Sequence, residues 1–408
     1  MVEVAEAAGV AGATARAQAW GLIEAQRYAD LDGEVGVGTQ DRRYRTLSGG
    51  AAAAASWARG RHVAALGLDG RVDRFRDHDA LRGDARVHGT RHAAGVALGD
   101  DVAVLGGRWV IAPAVRLDVL RTDPILDLDD LDAAPPPART DVAPSPRVST
   151  RALLTADVAI KASAGYYFRA PTLAELYGDR GHLVGSPDLL AERGPSADAG
   201  VVVAPARRFG PIDRVMVELA AFASWPHDTI GFVVTGARVA RARNLGDAEL
   251  RGVEVAAAAR LARTVTLTAN YTHLDTRQRT TQASFAGKQL PLRPRHDAYL
   301  RVDVARAVRG RVVAGWADVT YVAGNFLDQA ELDPVPARHL VGAGVRAELG
   351  RGVLVGLEVQ NALDHRVEQV ALDPAPRPDL AEVPRAVADI AGFPLPGRAL
   401  YVAVEWRR

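Results

Sequence analysis

The chain contains no cysteine and only two methionines among its 408 residues. Without a thiol there is no disulfide framework, no zinc–thiolate centre and no cysteine nucleophile. Such a chain suits an oxidising compartment, where a stray thiol is a liability. Long hydrophobic runs are missing too. No stretch of about 18 uncharged apolar residues occurs, and the alanine run Ala51–Ala55 stops at Ser56, so no transmembrane helix is expected. Charge of one sign does not accumulate: the formal net charge is +1, and the arginines are dispersed among apolar positions. That excludes the basic track nucleic acid requires, and no nucleic-acid partner is expected. The N-terminal stretch carries Glu3 and Glu6 and has no basic region ahead of an apolar core, so it does not read as a signal peptide. Catalytic signatures are equally lacking, with no Gly-x-Ser-x-Gly elbow, P-loop or His-Glu-x-x-His. Gly342-Ala343-Gly344-Val345-Arg346-Ala347 mimics half of a dinucleotide fingerprint, but it lies in an alternating strand with no helix after it. No enzyme activity and no cofactor are expected.

What the chain has instead is period-two alternation. Val265, Leu267, Ala269 and Tyr271 share one face, and Thr264, Thr266, Thr268, Asn270 and Thr272 share the other. Ala298, Leu300, Val302 and Val304 oppose Asp297, Tyr299, Arg301 and Asp303, and Leu400, Val402, Val404 and Trp406 oppose Tyr401, Ala403 and Glu405. These are strands with one apolar and one polar face. Helical periodicity is confined to Leu380–Ile390, inside a connection. The fold class is therefore all-β, with strands of about ten residues, the length that spans a bilayer when tilted.

The connections alternate in length. Short turns lie at Arg59-Gly60, Gly106-Gly107, Ala152–Ala156, Ala206–Ile212, Ala262-Arg263, Val308–Gly310 and Gly350–Gly352. Long ones lie at Tyr28–Thr46, Arg76–Gly89, Thr122–Ala143, Arg169–Pro195, Pro226–Asp247, Thr276–Leu292, Gly324–Pro336 and Leu363–Leu395. Short periplasmic turns and long extracellular loops are the rule of outer-membrane β-barrels, and counting on this rule gives about sixteen strands between Arg16 and Trp406.

Several side chains stand out as candidates. Asp123, Asp127, Asp129, Asp130 and Asp132 cluster in a Pro-rich connection. They would suit a Ca²⁺ ion that orders the loop; the alternative is a solvated acidic loop. The ten histidines are scattered, none at a metal-binding spacing. His182 and His227 lie in long connections and could meet a ligand or only solvent. Tyr166, Tyr167 and Phe168, with Trp109, Trp316 and Trp406, read as an interfacial aromatic girdle or bilayer-facing residues. Arg169 and Glu175, beside a strand end, read as ordering a loop, with ligand contact as the alternative.

The stretch Asp157–Gly200 carries the most local information. A strand ends in aromatics at Phe168, and Arg169-Ala170-Pro171-Thr172 breaks it. Thr172 is placed to cap a short turn over Leu173–Tyr177, with Glu175 completing a capping box and Gly178 ending it. This segment, Phe168-Arg169-Ala170-Pro171-Thr172-Leu173-Ala174-Glu175-Leu176-Tyr177-Gly178 with Ser186-Pro187-Asp188-Leu189 and Glu192, resembles the mid-barrel signature of TonB-dependent outer-membrane receptors. Ser186 stands where those receptors have Asn, and Ala191-Glu192 where they have Pro-Glu. Further stretches resemble the same family in the same order: Asn244 leading to Gly252-Val253-Glu254, Leu290-Pro291 with Pro294-Arg295-His296, Asn361-Ala362-Leu363-Asp364, and Pro396-Gly397-Arg398.

The resemblance implies an antiparallel barrel of about 22 strands in the outer membrane of a Gram-negative cell, across residues 1–408. It implies energised uptake of a scarce, bulky nutrient such as a ferric siderophore or vitamin B12. The partners it implies are outer-membrane lipid, the TonB energy-coupling protein acting through a plug domain, and a metal-chelate or cobalamin ligand, with a monomer as the unit. The chain shows neither plug nor coupling peptide and about six strands fewer than that barrel. The expectation is thus a C-terminal barrel portion: a fragment, a truncated reading frame or a gene remnant. The other reading of the even strand count is a passive porin of about sixteen strands.

Overall fold

The structure is a computed structural model and describes residues 2–10, 12–33, 38–81, 86–127, 137–178, 183–234, 240–350, 352–371, 375 and 377–406. The chain divides into two compact units: Met1–Ala152 with Ala162–Ala197 and Ser224–Ala248, and Leu153–Lys161 with Asp198–Ala223 and Glu249–Arg408. Both are built almost wholly of antiparallel strands. Seventeen of the described strands belong to one large sheet.

The chain opens with a meander. β1 (Val2–Val10), β2 (Ala13–Asp30), β3 (Gln40–Arg59), β4 (His62–Asp79), β5 (Arg86–Val104), β6 (Trp109–Asp127) and β7 (Arg139–Leu153) each pair antiparallel with the next. β8 (Val158–Arg169) leads to the helix α1 (Leu173–Tyr177) and the short β9 (Leu183–Val184). Then come β10 (Glu192–Val203), β11 (Ile212–Ser224), β12 (Ile230–Val234), β13 (Ala240–Asn244) and β14 (Asp247–Leu261). Within the first unit β13 pairs antiparallel with β12 and parallel with β9, a small sheet beside α1.

In the second unit the long strands β15 (Val265–Arg279), β16 (His296–Val308) and β17 (Arg311–Ala323) pair in turn. The hairpin β18 (Asn325–Phe326) and β19 (Pro334–Val335) sits in the next connection. β20 (Arg338–Gly350) and β21 (Val353–Gln360) continue the meander, β22 (Val367–Ala371) and β23 (Glu382–Ala386) form a second small hairpin, and β24 (Ala399–Trp406) pairs back on β21.

The alternation read from the sequence sets the faces. Across β21 and β24, Val355 faces Val404, Leu357 faces Val402, and Val359 faces Leu400, while Leu354 faces Glu405 and Glu358 faces Tyr401. Leu400, Val402 and Val404 are 69–72 % exposed. In the first unit Leu66, Leu98 and Val115 form a row across β4–β6. On the opposite face Arg116 donates to Asp69 at 2.7 and 3.0 Å and to Asp118 at 2.9 Å. The buried set is instead rich in charge and amide: Asp73, Asp77, Asp79, Arg91, Gln278 and Gln289. Exposed apolar side chains and buried polar ones invert the arrangement of a water-soluble domain. That is the pattern of strands with lipid against one face.

The structure departs from expectation in four respects. The main sheet holds the sixteen strands expected between Arg16 and Trp406, but β1 adds a seventeenth and seven short strands lie outside it, twenty-four in all among the described residues. β1 precedes Arg16, and the small hairpins lie in stretches taken as bare loops. Secondly, β2–β6 run 18–20 residues instead of about ten. Polar cross-strand pairs extend them: Arg27 Nε donates to Asp41 at 2.7 Å, Arg42 pairs with Asp77, and Ser48 Oγ donates to Asp73 at 2.6 Å. Thirdly, Leu380–Ile390 is no helix. A single 3₁₀ turn at Pro378–Leu380 gives way to β23, which pairs with β22 from Val367↔Ala386 to Ala371↔Glu382.

Lastly, Trp316 does not face the bilayer. It lies opposite Asp303 and Gly344, on the face of Arg301 and Asp318, and the Arg301 guanidinium stacks over its ring at 5.2 Å. Trp406, by contrast, is on the apolar face and 61 % exposed. A Cβ at Gly344 would meet the Trp316 ring at 2.2 Å. Gly344→Ala should therefore cost about 1–3 kcal/mol through overpacking, read as a lower urea midpoint of the protein in detergent micelles. Adding Trp316→Val should restore most of that loss, and failure to restore it would refute this packing account.

Candidate functional site

The motif stretch folds around α1. Thr172 is extended at φ −71°, its Oγ1 accepts from the Glu175 N–H at 3.1 Å, and the Glu175 carboxylate accepts from the Thr172 N–H at 2.7 Å. This is the capping box that the spacing predicts. Gly178 ends the helix at φ +77°, a conformation that strains any residue with a Cβ.

Arg169, just before the cap, organises the surrounding charges. Its Nη1 donates to both Glu175 carboxylate oxygens at 3.0 and 3.1 Å, and its Nη2 lies 3.5 Å from Glu192 and 3.4 Å from the Ile230 carbonyl oxygen. Glu192 also accepts from the Tyr167 hydroxyl at 2.9 Å and from the Ile230 N–H at 3.0 Å. One cation thus ties β8, α1, β10 and β12 together. Tyr167 turns into this network and not to an interfacial girdle; its neighbour Tyr166 is the exposed one.

The apolar side of α1 closes the site. Leu176, Tyr177 and Leu189 join Tyr44, Phe75, Ile230 and Ala242 in the first unit's buried cluster. Tyr177 stacks on Phe75 with centroids 5.4 Å apart. Burial raises the Tyr177 hydroxyl pKa above the ordinary tyrosine value, and Arg91 nearby pulls it the other way. Between α1 and β2–β6 lies a cavity of about 420 Å³ lined by Glu24, Arg71, Asp73, Arg91, Tyr44 and Phe75 among others. Its size is that of a small-molecule pocket, and its lining offers cationic, anionic and aromatic contacts together.

The remaining motif residues staple connections. Asn244 Oδ1 accepts from the Leu190 N–H at 2.8 Å, while its Nδ2 donates to the carbonyls of Leu190 and Asp228 at 3.1 and 2.8 Å. Ser186, in the place of an asparagine, donates to the Ala242 carbonyl at 2.6 Å. Pro187 lies beside it and Asp188 is exposed. Gly252 has no room for a Cβ, which would meet the Phe222 ring at 2.3 Å and the His273 carbonyl at 2.6 Å, whereas Glu254 is exposed. Leu290, ahead of Pro294, is buried and its N–H donates to Thr276 at 3.0 Å. Asn361, at φ +46°, accepts from the His365 N–H at 2.9 Å and donates to the carbonyls of His365 and Pro396 at 3.1 and 3.2 Å. At Gly397 a Cβ would meet the Arg366 guanidinium at 2.4 Å.

Asp364 accepts from the Arg398 N–H and from Arg366 Nε, both at 2.8 Å. These bonds, the Arg398 N–H first, hold its carboxyl below the usual range. A lowered carboxyl pKa stabilises at pH values above the ordinary value of about 4, and that stability is lost as the pH falls through the lowered value. The exchange rate of the Arg398 amide, divided by its intrinsic rate at each pH, should accordingly be flat from neutrality down to about pH 4 and rise only below it. An earlier rise would show that Asp364 does not hold that amide.

Of the proposed Ca²⁺ ligands, Asp129, Asp130 and Asp132 lie outside the described residues, as does the side chain of Asp127, and so does His182. Asp123 pairs with Arg121 Nε at 3.0 Å, and His227 with Asp247 at 3.0 Å. Sequence spacing missed the juxtaposition of His339, His365 and Glu368, which the β20–β21 pairing and the Asn361 turn create.

A sheet with one apolar, exposed face and one charged face, joined by long polar connections, has the pattern of outer-membrane β-barrel strands. The family described as TonB dependent receptor-like, beta-barrel matches residues 11–362, and the chain belongs to it. Its members are receptors and transporters of the outer membrane, not enzymes. No curated protein sequence matches the chain. Among solved structures it is similar to the copper transporter OprC (TM-score 0.71, 16 % identity, 97 % of this chain and 62 % of that one). It is similar too to the ferric citrate transporter FecA in its unliganded form (0.70, 16 %, 98 % and 60 %). A third is BauA, the ferric preacinetobactin receptor from Acinetobacter baumannii (0.66, 13 %, 97 % and 60 %). At such identities the likeness is one of fold, and the chain spans about three fifths of the length of each. The porin reading rested on an even strand count, and the family membership speaks against it.

Proposed function

We propose that residues 1–408 act as the barrel portion of a monomeric outer-membrane receptor for energised uptake of a scarce, bulky nutrient of the ferric-siderophore or cobalamin class. In this reading the strands close into the family's barrel, short turns face the periplasm and long connections face outward. TonB supplies the energy. The observation that carries it is the family match across residues 11–362. The printed cargoes of similar structures, copper, ferric citrate and ferric preacinetobactin, support a metal or metal chelate as ligand. The cavity under α1 adds a concave surface with arginines and aromatics, which suits an anionic chelate with planar groups. The motif residues serve this function by holding the connections around the lumen in place.

The test is accumulation of ⁵⁵Fe-labelled ferric chelates and labelled cobalamin in source cells with and without the gene. Uptake of one of them should depend on the gene and stop when a protonophore collapses the inner-membrane gradient. Gene-dependent uptake that survives the protonophore would show passive passage and sink the energised reading.

A further inference from the structure

Three side chains of the second unit, His365 and Glu368 from one segment and the distant His339, meet where β20 begins. The Asn361 turn after β21 brings His365 against the backbone of His339, with His365 Nδ1 3.3 Å from the His339 carbonyl oxygen. The two imidazole centroids are 4.2 Å apart. Glu368, on β22, reaches both rings: its Oε1 lies 2.5 Å from His365 Nε2 and 4.0 Å from His339 Nδ1. One potential ligand atom from each residue falls within 4.8 Å of the others.

What these atoms offer depends on the His365 tautomer. When His365 Nδ1–H donates to the His339 carbonyl, the neutral ring turns a lone pair at Nε2 directly toward a carboxylate oxygen. Two electron pairs at that separation require a cation between them. A proton would satisfy His365 and Glu368 alone. The His339 nitrogen converging on the same point supplies a third donor, and a metal ion uses three. An Nδ1–H bond to a backbone carbonyl is also the outer contact that orients a metal-bound imidazole.

We propose that His339, His365 and Glu368 bind a divalent transition-metal ion of borderline softness, of the Zn²⁺, Ni²⁺ or Cu²⁺ kind, for which imidazole is the suited ligand. Donor atoms about 2.0–2.2 Å from the ion are reached by rotating His339, whose side chain is 50 % exposed, and Glu368, at 31 %. Two imidazoles and one carboxylate leave a coordination position open, as in sites that take a further ligand. The ion would also clip the start of β20 to β22, fixing the connection between β21 and β24.

The test is calorimetric titration of the full chain in detergent micelles with zinc chloride at neutral pH. Saturable binding of one zinc per chain is expected. H339A and E368Q should each weaken it by about tenfold or more, and the double variant should abolish it. His365, only 15 % exposed, is left in place so that the fold survives, and H92A, at an exposed histidine of the first unit, should bind as the unaltered chain does. Zinc should also protect His339 from carbethoxylation. No saturable binding, or equal affinity in the H339A/E368Q double variant, would overturn the site and leave a proton-shared His365–Glu368 pair in its place.

Discussion

Arg169→Met is expected to lower the stability of the protein in micelles by about 3 kcal/mol. The change leaves two carboxylates, Glu175 and Glu192, whose side chains are only 10 % and 12 % exposed, without the cation they share. Removing one partner of a buried ion pair costs roughly 3–5 kcal/mol, because the abandoned charge stays desolvated. The lower end applies here, since the Arg169 side chain is 36 % exposed and water reaches it. The loss should be local as well. Amides of Thr172 and Ile230, which donate to Glu175 and Glu192, should exchange faster, while those of β20 and β21 should not. Adding Glu175→Gln removes one uncompensated charge and should recover part of the urea midpoint. If the double variant is less stable than Arg169→Met, the electrostatic account fails and the arginine acts by packing alone.

Gly185→Ala is the second large effect. A Cβ there would lie 2.4 Å from the Gly178 nitrogen and 2.5 Å from the Leu176 carbonyl carbon and oxygen. All are backbone atoms at the end of α1, so no side chain can swing aside. The flanking Ser186 N–H is bonded to the Glu175 carbonyl at 2.9 Å, which prevents the loop from drifting off. The cost should reach the upper part of the overpacking range, about 3 kcal/mol, with faster exchange at the Gly178 and Ser186 amides. Gly60→Ala is the comparison, because that glycine has no heavy atom within 4 Å of its Cβ position. Its φ of +61° gives only the backbone strain of a left-handed turn, about 1 kcal/mol. Equal losses in the two variants would show that close approach is not what Gly185 provides.

Local chemistry in this chain was legible and remote chemistry was not. Thr172, Glu175 and Gly178 act on one another within a single turn, so their spacing alone predicted the cap. The same holds for the turns at Gly60, Ala262-Arg263 and Gly310, all at positive φ. Which acid Arg169 would find depended on Glu192 and Ile230, brought in by strand pairing. Spacing carries no information about that register. His339 and His365 were invisible as a pair for the same reason. Trp316 is a different case. It has the parity of Asp318 and Thr320, so the alternation did place it on the polar face, and only its aromatic character suggested the bilayer. The strand ends were misjudged because hydrophobic alternation stops at the membrane boundary while backbone pairing does not. Polar partners such as Ser48 and Asp73 continue it.

The aromatic contacts of α1 bear on the order in which the protein assembles. Five residues are far short of the roughly 12–15 an isolated helix needs to persist in water. Beyond the local cap, the apolar cover of this turn, Phe75 and Tyr44 from one hairpin and Ile230 and Ala242 from the small sheet, comes from other parts of the chain. The segment is therefore expected to settle late, after β3, β4, β12 and β13 have found their partners. Until then Arg169 to Tyr177 should be open to an added protease such as trypsin, which cuts after arginine. Cleavage there would mark chains whose hairpins never paired, so the same cap that orders the finished receptor would also set how long an unfinished one survives.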